Sequence, residues 1–313
     1  MKTFAKTALF ILVGAAFLLG ACTKQGGFIN VASGGTSGTY YALAGAMAKV
    51  WNEKIPGMNA TVQSTGASVA NINLLKEGKV DLIFVQNDIA YYAMNGLEMF
   101  KDNSYSEIQG LAVLYSETCQ LVTLANSSIK SVADLKGKRV AVGAAGSGVE
   151  ANARQIMEAA GITYKDINVQ YLAFGDAANN LKDGNIDAAF LTAGFPTAAV
   201  SDVAASKDIV IINIDPALIS KLTSLYPFYT RITIPAGTYP KQTAEVSTIA
   251  VKAMLAATAK LSPDIAASLL KTMYGNQDQL IAAHSQGANI LAATALEGMP
   301  LPLHKGAANY FKK

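Results

Sequence analysis

Two stretches far apart in the chain share one local grammar. Leu75-Lys76-Glu77-Gly78-Lys79-Val80-Asp81 and Leu181-Lys182-Asp183-Gly184-Asn185-Ile186-Asp187 each end a helical pattern, turn on a glycine and open an apolar run with an acidic residue. Glycine suits that position because it leaves a helix in the left-handed region without a Cβ clash. Upstream of each lies a loop that opens a helix, Gly35-Thr36-Ser37-Gly38 in one case and Gly146-Ser147-Gly148 in the other. The chain therefore carries one α/β unit twice, at the scale of a lobe, with none of the 20–50-residue periods of a solenoid.

Around these repeats short strand-like runs alternate with longer helical ones, the pattern of helices on a mostly parallel sheet. A strand is expected over 28–32, a Gly/Ser/Thr loop over 33–39 and a helix over 40–54, with Leu43, Met47, Val50 and Trp51 at helical spacing until Pro56-Gly57 stops it. Strands over 60–63 and 81–86 bracket a helix that runs through Leu75. Further on, strands over 111–114 and 120–124 flank Tyr115-Ser116-Glu117-Thr118, which reads as a first hinge. The chain is expected to cross back over 229–234, and residues 247–261 read as a helix carrying Lys252 and Lys260. The resulting division is lobe 1 over 28–117, lobe 2 over 118–227, and the remainder of lobe 1 with C-terminal helices over 228–313.

The N-terminus has the form of an export signal, with Lys2 and Lys6 before an apolar run over 8–19 that is shorter than a membrane span. Leu19-Gly20-Ala21-Cys22 resembles a bacterial lipobox, so residues 1–21 are expected to be removed, Cys22 to carry the lipid anchor and 22–27 to form a tether. Cleavage after Ala21 with a free Cys22 is the other reading. Without Lys2 and Lys6, 23 basic residues face 22 acidic ones, a net charge of +1. Cys119 then stands alone and is expected to be a buried small hydrophobe.

Charged residues make up 15% of the chain and arginine occurs only at 139, 154 and 231, against about 25% charged in typical domains. This balance excludes an electrostatic nucleic-acid binder and a disordered charged tail. Two histidines, His284 and His304, lie 20 residues apart without a clustered acid or cysteine, so no metal site is expected. Nucleotide-binding glycine fingerprints and a Gly-x-Ser-x-Gly elbow are missing; no catalytic residue and no cofactor is assigned.

What remains is a set of loops at the carboxyl ends of strands, where helix N-termini present free N–H groups to a ligand. The first comprises Gly35, Thr36, Ser37, Gly38, Thr39 and Tyr40, and the second Ser64, Thr65, Gly66, Ala67 and Ser68. Ala144 to Gly148, with Ser147 and Gly148, forms a third, and Ala173 to Ala177, with Asp176 as the expected N-cap, a fourth. Strand ends add Gln86-Asn87-Asp88 and Thr192-Ala193-Gly194-Phe195-Pro196. Any one such loop is equally a capped turn; several facing one cleft make a small-molecule site. Arg231, near the expected return, is the arginine singled out as an anion partner.

Several segments together resemble the TAXI class of solute receptors from tripartite ATP-independent periplasmic (TRAP) transporters. They are Gly34-Gly35-Thr36-Ser37-Gly38-Thr39-Tyr40-Tyr41, Thr65-Gly66-Ala67-Ser68-Val69-Ala70-Asn71, the run from Asp134 to Gly143 leading to Gly146-Ser147-Gly148, Ile234-Pro235-Ala236-Gly237-Thr238-Tyr239, and Pro302-Leu303-His304-Lys305-Gly306-Ala307-Ala308. The resemblance implies a type II periplasmic-binding fold: two α/β lobes, a ligand cleft between them and two hinge crossings. It implies a non-enzymatic receptor that hands a small organic acid or amino acid, glutamate- or glutamine-like, to an ion-driven membrane permease. It carries ligand contacts onto Thr36 to Tyr40, Ser64 to Ser68 with Asn71, and Gln86, and less firmly onto Ser147, Gly148, Gly194, Phe195 and Pro196. A second glycine is common in the family where Ala67 stands, so a narrower cleft is expected there. A receptor for an ATP-driven importer shares the fold, and a surface adhesin-type lipoprotein is the rival from another class.

Overall fold

The computed structural model describes residues 27–312; the expected signal peptide, Cys22 and nearly all of the tether lie outside them. β1 (Phe28–Ala32) leads through the glycine loop into α1 (Thr39–Lys54), whose Leu43, Met47, Val50 and Trp51 are all buried. β2 (Asn59–Gln63) pairs parallel with β1, α2 (Ser68–Lys76) follows, and β3 (Leu82–Gln86) pairs parallel with the other edge of β1 before α3 (Asn87–Asn95) begins.

The second half repeats the scheme. After the long β4 (Ile108–Leu124) come β5 (Arg139–Ala141), α4 (Gly148–Ala159), β6 (Asn168–Gln170), α5 (Phe174–Lys182) and β7 (Ala188–Ala193). β5 lies parallel between β6 and β7.

The echoed heptapeptides perform the same task in each half. Gly78 and Gly184 both take positive φ, 69° and 74°. Lys79 N–H reaches back to the Leu74 carbonyl and Asn185 N–H to that of Asn180, closing the preceding helix. Asp81 then accepts from Asn30 N–H, and Asp187 from Arg139 N–H, each at 2.8 Å. Each acidic side chain thus pins the start of its strand to the neighbouring parallel strand.

The crossings differ from the sequence expectation. β4 is one unbroken 17-residue strand, where two strands and a hinge at Tyr115 to Thr118 were expected. Its polar residues read as a hinge, but Glu117 and Thr118 are buried inside the sheet. Residues expected to form a helix over 247–261 instead form β10 (Val246–Thr258). Its alanine, leucine and methionine content suits a helix, yet Ala253, Leu255 and Ala257 pack on one face while Met254 and Ala256 pack on the other. An apolar run covered on both faces has no periodicity to separate strand from helix, and tertiary cover decides.

β10 runs antiparallel to β4 from Ala250 to Thr258, so these two strands are the crossings. The expected return over 229–234 is β9 (Thr230–Ile234), a partner of the first residues of β10. Tyr229 packs with Val140 and Phe190, and Ile234 and Tyr239 pack with Leu191 and Val200, all in the second half. The sheet order is β2-β1-β3-β10-β4-β7-β5-β6, with β8 (Ile209–Ile211), which follows α6 (Ala198–Ser206), on β4.

Each half buries both faces of its sheet. Leu82 and Phe84 of β3 join one core while Ile83 and Val85 join another, and Ala188 and Phe190 of β7 alternate in the same way with Ala189 and Leu191. α7 (Pro216–Leu225) covers the second half; α8 (Pro263–Tyr274), α9 (Gln277–Ala283) and α10 (Lys305–Phe311) cover the first, where Trp51 Nε1 donates to the Leu269 carbonyl at 3.0 Å. This mixed α/β architecture is the expected fold class. No helix among the described residues is long and apolar enough to cross a membrane.

Candidate functional site

The carboxyl ends of β1, β3 and β7 and the centre of β4 meet where the halves face each other, around a cavity of about 60 Å³. That is room for several waters at roughly 10–15 Å³ each. Of the residues expected at a site, Gly35, Gly38, Thr39, Tyr40, Thr65, Gly66, Ala67, Ser68, Gln86, Ser147 and Gly148 line it. The first nine come from the first half, the last two from the second.

The others are placed around the lining. Asn71 is fully buried behind it, its Nδ2 donating to the carbonyls of Ser33 at 2.6 Å and Phe84 at 2.8 Å while Oδ1 accepts from Thr65 Oγ1 at 2.5 Å. It staples the second loop to the sheet. Ser64 Oγ donates to the Gly34 carbonyl at 3.0 Å, tying the first two loops together. Thr36, Ser37, Gly194, Phe195 and Pro196 are outside the lining. The Gly194 and Phe195 carbonyls accept instead from Thr39 Oγ1 and Gln286 Nε2, at 3.2 and 2.8 Å, across the two halves. Arg231 is exposed on β9, outside the lining, and Asp176 stands in the first turn of α5, whose cap is Ala173.

Helix N-termini add polarity beside the polar side chains of the lining. α1 starts at Gly38 and α5 at Ala173 without any side-chain cap, which leaves first-turn N–H groups without intrahelical partners. Gly38 lies against the other half: a Cβ there would sit 3.3 Å from the Gly35 carbonyl oxygen and 3.4 Å from the Phe174 ring. α4 is capped by Ser147, whose Oγ accepts from Glu150 N–H at 3.2 Å. α2 is satisfied across the cleft: Val69 and Ala70 N–H both donate to the Gly146 carbonyl at 3.2 Å. The halves are closed upon each other.

Ala67 precedes α2 with φ 70° and ψ −145°, a region costly for any residue with a Cβ. That is a physical reason for glycine to be common at this position among the relatives the sequence resembles.

The residue that sequence reasoning placed in a hinge, and not in a site, is Glu117. It is 3% exposed, lines the cavity from the centre of β4, and its Oε2 accepts from Tyr40 Oη at 2.8 Å. Burial pushes its carboxyl up to about 8, although the Tyr40 hydroxyl bond works the other way. Burial also drives the Tyr40 phenol well above its ordinary range. Nothing in the local sequence marked Glu117, because its placement depends on β4 running unbroken through both halves. Among the described residues, none of those lining the cavity carries a cationic side chain.

Other buried polar groups join the halves behind the cavity. Asn152 Nδ2 donates to Asp88 Oδ2 at 3.0 Å, and Gln155 Nε2 donates to Tyr92 Oη at 3.2 Å. Burial raises the Asp88 carboxyl to about 7 and the Cys119 thiol to about 12. His284 Nδ1 accepts from Gln286 N–H at 3.1 Å, which assigns the ring proton to Nε2, 3.3 Å from Thr39 Oγ1. His304 caps α10 through Gly306 N–H. Both histidines hold loops in place.

The fold is shared with solved binding proteins. The alkanesulfonate-binding protein SsuA from Xanthomonas axonopodis pv. citri is 14% identical, with 84% of each chain covered and a TM-score of 0.52. A putative L-cystine ABC transporter protein from Listeria monocytogenes is 17% identical over 84% of this chain and 98% of that one, with a TM-score of 0.52. A structure from Bordetella bronchiseptica RB50 covers 92% of this chain and 98% of its own at 14% identity, with a TM-score of 0.60. At these identities the likeness establishes the architecture of periplasmic solute-binding proteins. In sequence, residues 31–313 match the NMT1-like family, and the chain belongs to that family.

Proposed function

We propose that the protein is an extracytoplasmic solute receptor of the TAXI class that captures a small organic acid or amino acid and delivers it to an ion-driven TRAP permease. The observation that carries the binding role is the cavity between the halves, lined by the starts of α1, α2, α4 and α5 and by hydroxyl and amide side chains. An anionic group is received by N–H groups and helix dipoles in place of an arginine. Glutamate- and glutamine-like solutes fit this chemistry. Solute binds the first half, which contributes most of the lining, and the second half closes over it. Closure is a shift of population toward the state the solute prefers. The lipid on Cys22 tethers the receptor to the membrane of the cell envelope.

The family match and the shared fold support the receptor role, and the ordered motifs support the TAXI class. Of the solved structures named above, one is an alkanesulfonate-binding protein and one a putative L-cystine ABC transporter. They favour a second reading, a receptor for an ATP-driven importer. A thermal-shift screen against amino acids, dicarboxylates and keto acids tests the binding role: a ligand at 100 times its Kd stabilises by about 2.7 kcal/mol. Silence across the panel favours the adhesin-type reading. Uptake into vesicles carrying the cognate permease, driven by an ion gradient or by ATP, separates the two transport readings.

A further inference from the structure

Past the end of β7 the second half turns two successive carbonyls, those of Gly194 and Phe195, toward donors of the first half. Thr39 Oγ1 donates to the Gly194 carbonyl at 3.2 Å and Gln286 Nε2 to the Phe195 carbonyl at 2.8 Å. Thr39 and Gln286 are 2% and 6% exposed, and a hydrogen bond shielded from water is the stronger for it. Both donors are fixed from behind. The Thr39 hydroxyl, donating to Gly194, accepts from His284 Nε2–H at 3.3 Å, and His284 Nδ1 accepts from Gln286 N–H at 3.1 Å. Gln286 Oε1 accepts from Asn289 Nδ2 at 2.8 Å, which leaves Nε2 for the Phe195 carbonyl.

The acceptors are braced as well. Thr197 Oγ1 donates to the same Gly194 carbonyl at 2.9 Å and accepts from Gln120 Nε2 at 2.9 Å, while Tyr239 Oη donates to Gln120 Oε1 at 2.6 Å. Gly194 is fitted to the contact: a Cβ there would fall 2.4 Å from Gln286 Cγ and 3.2 Å from Thr39 Cγ2. Thr39 belongs to the cavity lining, whereas His284 and Gln286, from the turn Ser285–Asn289 and its cap, stand outside it.

We propose that Thr39, His284 and Gln286 form a latch on the Gly194–Phe195 loop, so that a turn near the C-terminus, outside the lining, sets how much of the time the cavity is shut. This goes beyond the receptor reading and holds whatever the cavity takes. His284 and Gln286 are positioning residues. His284 acts through Thr39, committing that hydroxyl proton to the Gly194 carbonyl in place of a solute. A separate cross-cleft contact reports on the latch: Val69 and Ala70 N–H, in the first turn of α2, donate to the Gly146 carbonyl. The first turn offers them no intrahelical carbonyl, so they lose their partner whenever the halves part.

The test is amide hydrogen exchange, read by NMR on the purified protein with no solute added. In the wild type, Val69 and Ala70 are expected to exchange about 100-fold or more slowly than free amides. Gln286→Glu sets a carboxylate oxygen against the Phe195 carbonyl, and Thr39→Val removes the hydroxyl at nearly constant shape. His284→Asn keeps a side-chain acceptor for Gln286 N–H and loses the ring donor. The first two are expected to speed exchange at Val69 and Ala70 roughly tenfold, the worth of one hydrogen bond, and the third to speed it less. The amides of β1, paired on both edges, are expected to be unchanged. Thr39→Ser is expected to restore the wild-type rate. The double variant Thr39→Val with His284→Asn is expected to exchange no faster than Thr39→Val alone, because His284 acts through that hydroxyl. Val69 and Ala70 unprotected in the wild type, unchanged exchange in Gln286→Glu and Thr39→Val, or an equal rise in β1 overturns the inference. Each of these leaves the receptor reading standing, since solute binding tests that separately. Should a first-half variant not fold, Gly194→Ala breaks the latch from the second half and is expected to give the same rise.

Discussion

Tyr40 Oη donates to Glu117 Oε2 at 2.8 Å, joining the first turn of α1 to the centre of the strand that crosses both halves. The bond satisfies one oxygen of a buried acid that lines the cavity. It also ties the electrostatics of the site to the stability of the fold.

The first prediction follows from that acid. Glu117 sits at about 8 when folded, against roughly 4.3 in an unfolded chain. The folded state therefore holds a proton that the unfolded state has lost, so its contribution is fully present below about pH 4.3 and declines as pH rises toward 8. Asp88, raised to about 7, acts in the same direction. Melting of the protein without added solute is expected to fall between pH 5 and 8, by an amount worth a few kcal/mol. Glu117→Gln should flatten that slope, and Asp88→Asn should flatten its lower part.

Ser68 and Thr36 separate lining from surroundings. Ser68 is buried on the cavity and its Oγ accepts from Gln86 N–H at 3.2 Å, while Thr36 is outside the lining. Ser68→Ala is expected to weaken solute binding about tenfold, the ~1.4 kcal/mol of a single hydrogen bond. Thr36→Ala should leave the Kd within twofold. Titration calorimetry on the two single variants reads both effects.

Ala67 carries backbone strain at φ 70°. Ala67→Gly should raise stability by about 1 kcal/mol, since relief of 1–3 kcal/mol of strain outweighs the 0.5–1 kcal/mol entropic cost of glycine. For a chain of this size that is a rise in Tm of roughly 2–4 °C by calorimetry. A fall would mean that the conformation is unstrained.

The parts of the fold that sequence disclosed were those written locally. The Gly78 and Gly184 turns, the Asp81 and Asp187 strand starts and the Leu43–Trp51 stripe each encode their conformation within a few residues. β4 and β10 were misread because their structure is decided by neighbours remote in sequence: Tyr115 to Thr118 look like a hinge, and Ala250 to Ala257 like part of a helix, until the two strands pair along Ala250–Thr258. The site was legible to the same degree. Its glycine loops were found at the strand ends, whereas Glu117 needs the unbroken β4 to bring it to the cavity. Asn71 was read as a ligand contact and stands behind the second loop as its staple.

Gly148 tests the central claim most directly. A Cβ there would fall 1.9 Å from Gln86 Oε1 and 2.5 Å from its Cδ, across the closed cleft. Titrating the solute found by the thermal screen into wild-type protein and into Gly148→Leu should give one saturable site in the first and no measurable heat in the second, with both proteins folded. Equal affinity in the two would place the solute somewhere other than this cavity and contradict the account.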